Sequence, residues 1–62
     1  MKKYAKELVP GDVYIEDFIG YLRVVLFTEF FNSERRCRVT FLSDNGQLYI
    51  LNYSSLHVLS TL

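Results

Sequence analysis

From Val13 onward the chain reads as short alternating runs separated by turn signals. In Val13-Tyr14-Ile15-Glu16 the alternation places Val13 and Ile15 toward a core and Tyr14 and Glu16 outward. Asp17-Phe18-Ile19-Gly20 interrupts it, with Gly20 as the hinge of a loop. The strongest extended signal runs from Tyr21 to Phe31. Leu22, Val24, Leu26 and Phe30 fall on one side, and Tyr21, Arg23, Val25, Phe27 and Glu29 on the other. Period two with β-branched and aromatic residues predicts a strand rather than a helix. Its length calls for a bend or bulge near Thr28 to Phe30 if the sheet is to close.

Asn32-Ser33-Glu34 reads as a polar turn, and Arg35 to Ser43 as the next strand. Asp44-Asn45-Gly46-Gln47 is the sharpest local signal, because Asn and Gly tolerate the positive φ that a two-residue hairpin demands. Such a loop sets Asp44 opposite Gln47, Ser43 opposite Leu48, Leu42 opposite Tyr49 and Phe41 opposite Ile50; a longer loop shifts these pairs. In that register Cys37, Val39, Phe41, Leu48 and Ile50 share the core face. Arg36, Arg38, Thr40, Leu42, Tyr49, Leu51 and Tyr53 share the other. Asn52-Tyr53-Ser54-Ser55 breaks the run with one short helical turn, capped by Asn52 or Ser54. His57-Val58-Leu59-Ser60 is a last short strand.

Residues 1–7 carry no core period and read as a polar tail, leaving residues 8–62 as a single domain. On that reading, deleting Met1 to Lys3 leaves the melting temperature nearly unchanged. Val9-Pro10-Gly11-Asp12 is a turn that leads into the first strand. Three segments carry a resemblance of layout over residues 8–61. They are Leu8-Val9-Pro10-Gly11-Asp12 before the first strand, Asp44-Asn45-Gly46 at a distal hairpin, and Asn52-Tyr53-Ser54-Ser55 before the last strand. This order resembles the SH3-like small barrels, which include the eukaryotic SH3, KOW and Tudor-type modules. The resemblance implies an all-β fold: a small five-stranded SH3-like antiparallel barrel with a short helical turn before the last strand. Signalling SH3 domains line a proline-peptide groove with an acidic loop and a Trp. This chain has no Trp, and only Glu16 and Asp17 could supply the acidic loop. KOW-like members that bind nucleic acid carry a basic excess that is also missing here.

Composition narrows the function classes. With 62 residues there is room for one core, and a domain this short buries only about 60% of its unfolded surface. One cysteine excludes an intrachain disulfide, and Cys37 with His57 cannot make a zinc site. Stability therefore rests on apolar packing, from a 50% hydrophobic chain with five Tyr and five Phe. Seven basic residues balance seven acidic ones, which disfavours a general duplex-DNA coat and, with the apolar content, disorder. The opening Met1-Lys2-Lys3 lacks the apolar run of a signal peptide, and no segment has the 18 or so apolar residues of a membrane span. A cytoplasmic location follows as the default expectation.

No catalytic constellation stands out. Cys37 falls on the expected core face, His57 beside a break, and Glu16 and Asp17 are loop neighbours that project differently. Gly11, Gly20 and Gly46 are isolated turn residues, not a phosphate loop, and no cofactor is expected. The sequence reading is thus a non-catalytic protein-binding adaptor or regulatory module, acting on a foreign protein or by self-association. Tyr14, Tyr21, Phe27, Tyr49 and Tyr53 are its candidate contact rings. The alternative is single-stranded nucleic-acid binding: Arg35, Arg36 and Arg38 would hold phosphates while Tyr49 and Tyr53, on the same face in the expected register, stack on bases.

Overall fold

The structure, a computed structural model, describes residues 1–16 and 20–62. Asp17, Phe18 and Ile19, read above as part of the first loop, lie outside the described residues. Six strands form: β1 (Lys2–Tyr4), β2 (Val13–Ile15), β3 (Leu22–Phe31), β4 (Arg36–Ser43), β5 (Leu48–Ser54) and β6 (Val58–Ser60). They make two antiparallel sheets, a four-stranded one in the order β2-β3-β4-β5 and a two-stranded one of β1 and β6.

All-β architecture agrees with the sequence, but the five-stranded closed SH3-like barrel does not. Among the described residues there are six strands in two open sheets, joined by one isolated bridge between Tyr14 and Thr61. The residues read as a tail account for part of the difference. Lys2, Lys3 and Tyr4 pair with Ser60, Leu59 and Val58, so the last strand takes the leader as its ladder partner. The helical turn is also displaced. The described 3₁₀ turn is Ala5–Glu7, near the start of the chain, whereas Ser55 and Leu56 make only a hydrogen-bonded turn before β6. Glu7 reaches back to accept from the Tyr4 backbone N–H (3.0 Å), and the Leu8 N–H closes the turn on the Ala5 carbonyl.

The β4–β5 hairpin is one residue longer at its tip than a two-residue loop. Gly46 N–H donates to the Ser43 carbonyl (3.0 Å), and Ser43 N–H donates to the Gln47 carbonyl (2.9 Å). Gly46 has φ +85°, so Asp44-Asn45-Gly46 is a turn followed by a left-handed glycine, the usual three-residue hairpin. The Asn45 side chain locks it, accepting from the Gln47 N–H (3.1 Å) and from the Ser43 hydroxyl. The register becomes Leu42 with Leu48, Phe41 with Tyr49, Thr40 with Ile50 and Val39 with Leu51. One residue of slip turns every β5 side chain to the opposite face. Tyr49, Leu51 and Tyr53 therefore join Cys37, Val39 and Phe41, while Leu48 and Ile50 point the other way.

The core lies between the two sheets. Ala5, Leu8, Val25, Cys37, Val39, Phe41 and Leu59 are buried there, with Tyr14, Tyr49, Leu51 and Tyr53 packed against them. Phe41 is the centrepiece, tilted against Tyr14 (5.5 Å between ring centroids) and edge-on to Tyr53 (6.4 Å). Tyr14 is thus the core-side residue of β2, and Val13 and Ile15 take the face assigned above to Tyr14. The bulge in β3 is also earlier than expected, between Val25 and Phe27 rather than at Thr28 to Phe30. It lets Val25 face the core and Phe27 the opposite side, although both belong to one alternation class in the sequence.

Between β3 and β4, Asn32, Ser33 and Glu34 all have positive φ (54°, 54° and 65°). A left-handed residue with a Cβ costs about 1 kcal/mol. Buried Ser55 holds this turn, donating its hydroxyl to the Glu34 carbonyl and its N–H to the Arg35 carbonyl. Ser33→Gly should therefore raise stability by about 0.5–1 kcal/mol, read as a higher urea midpoint with an unchanged slope. A lower midpoint would show that the turn is not strained at Ser33.

Candidate functional site

The four-stranded sheet has an inner face on the core and an outer face whose side chains line up in rows across the strands. The longest row is Val13, Val24, Leu42 and Leu48, one aliphatic residue from each strand. Beside it stand Ile15 and Leu22 on one side, and Phe27, Thr40 and Ile50 on the other. Further along, Glu29, Arg38 and Asn52 form a polar row, followed by Phe31, Arg36 and Ser54. The outer face is therefore an aliphatic and aromatic field ending in a charged margin. Thr40, between Phe27 and Ile50 in the register, is 5% exposed. Ile50 and Leu48 are themselves 62% exposed, and Val24, Leu26 and Phe27 are also open to solvent. Contiguous exposed apolar surface of this kind marks interaction sites, unlike scattered single residues.

The sequence-derived rings separate in space. Phe27 is on the outer face. Tyr14, Tyr49 and Tyr53 pack on the inner side, and burial pushes the Tyr53 phenol up to about 12, so it stays protonated. Tyr53 also stacks on His57 (5.1 Å). Tyr21 is exposed at the end of the sheet, where it borders a hollow of about 160 Å³ with Arg23, Ser43, Asp44, Asn45 and Tyr49. The Arg23 guanidinium lies over the Tyr49 ring (4.3 Å) and 3.5 Å from the Glu16 carboxylate.

The arginines and tyrosines of the nucleic-acid reading do not share a surface. Arg36 and Arg38 are on the outer face, Arg35 is in the turn before β4, and Tyr49 and Tyr53 are on the inner face, across the sheet. Arg38 is engaged locally, over the Phe31 ring (5.5 Å) and donating from Nε to Asn52 Oδ1 (3.3 Å). Leu48 and Ile50, placed in the core by the shorter loop, belong instead to the exposed field. The signal that could have found them is the alternation itself, read with a three-residue turn.

Cys37 is fully buried and burial pushes its thiol up, so it stays a thiol. Among the described residues, no three His, Cys, Asp or Glu side chains gather as a metal centre would need, and no helix is long and apolar enough to cross a membrane. Asp12 ties the start of the chain to the sheet. Its carboxylate accepts from the Val9 N–H (3.0 Å) and pairs with Lys3 Nζ (3.0 Å). The Val9 N–H, opposed by burial and aided by Lys3, holds the carboxyl below its ordinary value. A depressed folded pKa stabilises above the unfolded value, and that gain disappears as pH falls through the folded value. Asp12→Asn should therefore be less stable than the parent at neutral pH, with the gap closing below about pH 4. Urea midpoints from pH 7 downward read this; a gap that stays constant would remove the ionic contribution.

Comparison with protein-family models, curated proteins and solved structures finds no match to this chain.

Proposed function

We propose that this chain is a non-catalytic protein-binding module whose docking surface is the outer face of the four-stranded sheet. The observation that carries the reading is the Val13–Val24–Leu42–Leu48 row with Phe27 and Ile50 beside it. The partner it suits presents apolar side chains opposite this field, with polar or acidic groups opposite Arg36 and Arg38. Zero formal charge also favours contact by shape and apolar burial over long-range attraction.

Photo-crosslinking tests it. A benzophenone side chain at Phe27 should trap a discrete protein in the cells that make this chain, whereas the same group at exposed Leu56, outside the field, should not. Equal trapping from both positions, or adducts with RNA alone, would defeat the reading. RNA adducts lost on Arg36 and Arg38 substitution would move the function to nucleic acid.

A further inference from the structure

Among the described strands, the free sides of β1 and β2 are guarded. β1 is short and carries Lys2 and Lys3. The free side of β2 meets the chain end, through the Tyr14–Thr61 bridge and the Leu62 N–H on the Val13 carbonyl (3.0 Å). β5 is different. It is seven residues long, Leu48-Tyr49-Ile50-Leu51-Asn52-Tyr53-Ser54, with no charge, proline or glycine, and in the four-stranded sheet it pairs only with β4. Natural proteins blunt such edges with the very residues this strand lacks.

The ladder shows which backbone groups are open. Ser43 N–H bonds the Gln47 carbonyl at one end, and Ser55 N–H bonds the Arg35 carbonyl at the other (both 2.9 Å). Alternation between them directs the backbone of Tyr49, Leu51 and Tyr53 to β4, and that of Leu48, Ile50 and Asn52 away from it. The Ser54 carbonyl, which also points away, is taken by the His57 N–H.

We infer that β5 is a homodimerisation edge: two copies pair β5 to β5, antiparallel about a two-fold axis at Ile50, making one continuous eight-stranded sheet. The second copy fits for three reasons. A two-fold at Ile50 sets every outward N–H and carbonyl of Leu48, Ile50 and Asn52 against its complement, Ile50 on Ile50 and Leu48 on Asn52. The same register sets Tyr49 against Leu51 on the other face, so apolar side chains meet and no like charges do. Finally, Leu48 and Ile50, at 62% exposure, are the most exposed apolar residues of the sheet, and this pairing gives both a neighbour on their open side. The edge is backbone chemistry and stands apart from the docking face, although the dimer would join two such faces side by side.

Three measurements test it. Light scattering on size-exclusion fractions, from micromolar to millimolar chain, should move from the mass of one 7.3 kDa chain toward two. Under mild oxidation Ile50→Cys should form a disulfide-linked dimer, because opposed hydrogen-bonded residues sit about 5.5 Å apart at Cα, within the roughly 4.4–6.8 Å a disulfide accepts. Leu48→Cys alone should not, being separated from its copy by four residues along the ladder, about 13 Å, whereas Leu48→Cys mixed with Asn52→Cys should cross-link. Buried Cys37 should stay silent in all of them. A synthetic chain methylated on the Ile50 backbone nitrogen, which touches no bond to β4, should keep the parent circular dichroism and lose the dimer. A monomer throughout, cross-linking of Leu48→Cys as fast as Ile50→Cys, or a folded N-methyl chain that still dimerises would each overturn the edge. A monomer that still traps a foreign protein through position 27 would leave the docking face standing, and a dimer that traps none would leave only the edge.

Discussion

Deleting Met1 to Lys3 should lower the melting temperature by about 10–20 °C, or leave the chain unfolded at 37 °C. The deletion removes the β1 pairs Lys2–Ser60 and Lys3–Leu59. It also removes the Met1 carbonyl that accepts the Thr61 N–H (2.7 Å), the terminal ammonium bonded to the Thr61 carbonyl (3.0 Å) and the Lys3–Asp12 ion pair. Thr61 and Leu59 are 2% exposed, so their freed groups would be uncovered or left unpaired in a buried site. At about 1 kcal/mol net for each lost backbone bond, and more where a buried group is orphaned, the cost is roughly 2–4 kcal/mol. A chain of 62 residues has on the order of 3–9 kcal/mol in total, and in domains this small each kcal/mol moves the midpoint by about 4–8 °C. Lys3→Ala separates side chain from backbone: it breaks only a partly exposed ion pair and should cost under about 1 kcal/mol. Thermal melts of the three proteins decide it. If the truncated chain melts with the parent, the Met1 to Lys3 pairs are an ornament, and Tyr4, Ala5 and the contacts of Thr61 and Leu62 with β2 suffice to hold the end of the chain.

The sequence offered no sign of β1 because Lys2-Lys3-Tyr4 has no apolar period; its hold on β6 is through the main chain, which side-chain pattern does not report. That the strands stay in two open sheets was illegible for the same reason, since it depends on which backbone edges find each other. Where side chains alone decide, the pattern spoke clearly. The β4 alternation of Cys37, Val39 and Phe41 against Arg36 and Arg38 is the alternation of the structure. Val13 and Ile15 do share a face with Leu22 and Val24, as the alternation implies, but it is the outer one. Two apolar faces compete for the core in this chain, and the winner is the one onto which Ala5, Leu8 and Leu59 fold. The candidate site was misread at two points: in β2, where Tyr14 faces the core, and at the tip of the β4–β5 hairpin. Asn45-Gly46 serves a two-residue loop and a three-residue loop equally well, and the difference carries Tyr49 and Tyr53 from beside the arginines to beside Phe41.

That single residue of register has a large measurable consequence. Leu51→Asp should abolish the fold, while Ile50→Asp, its neighbour, should leave it nearly intact. Both changes put a poor strand former into β5, so intrinsic propensity cancels between them. Leu51 lies opposite Val39, which is fully buried, and packs against the core. Leu51 is partly buried, so a carboxylate there is partly desolvated against apolar neighbours, and it also forfeits the packing of the leucine. Together these cost on the order of 3–5 kcal/mol, comparable to the whole stability of so small a domain. Ile50 points to solvent on the outer face, so Ile50→Asp gives up little burial and should cost about 1 kcal/mol or less. A two-residue hairpin demands the opposite: Ile50 would sit in the core beside Phe41, and Ile50→Asp would be the lethal change. Circular dichroism with urea titration distinguishes the registers directly. A folded Leu51→Asp beside an unfolded Ile50→Asp would refute the three-residue turn, and with it the outer-face docking field.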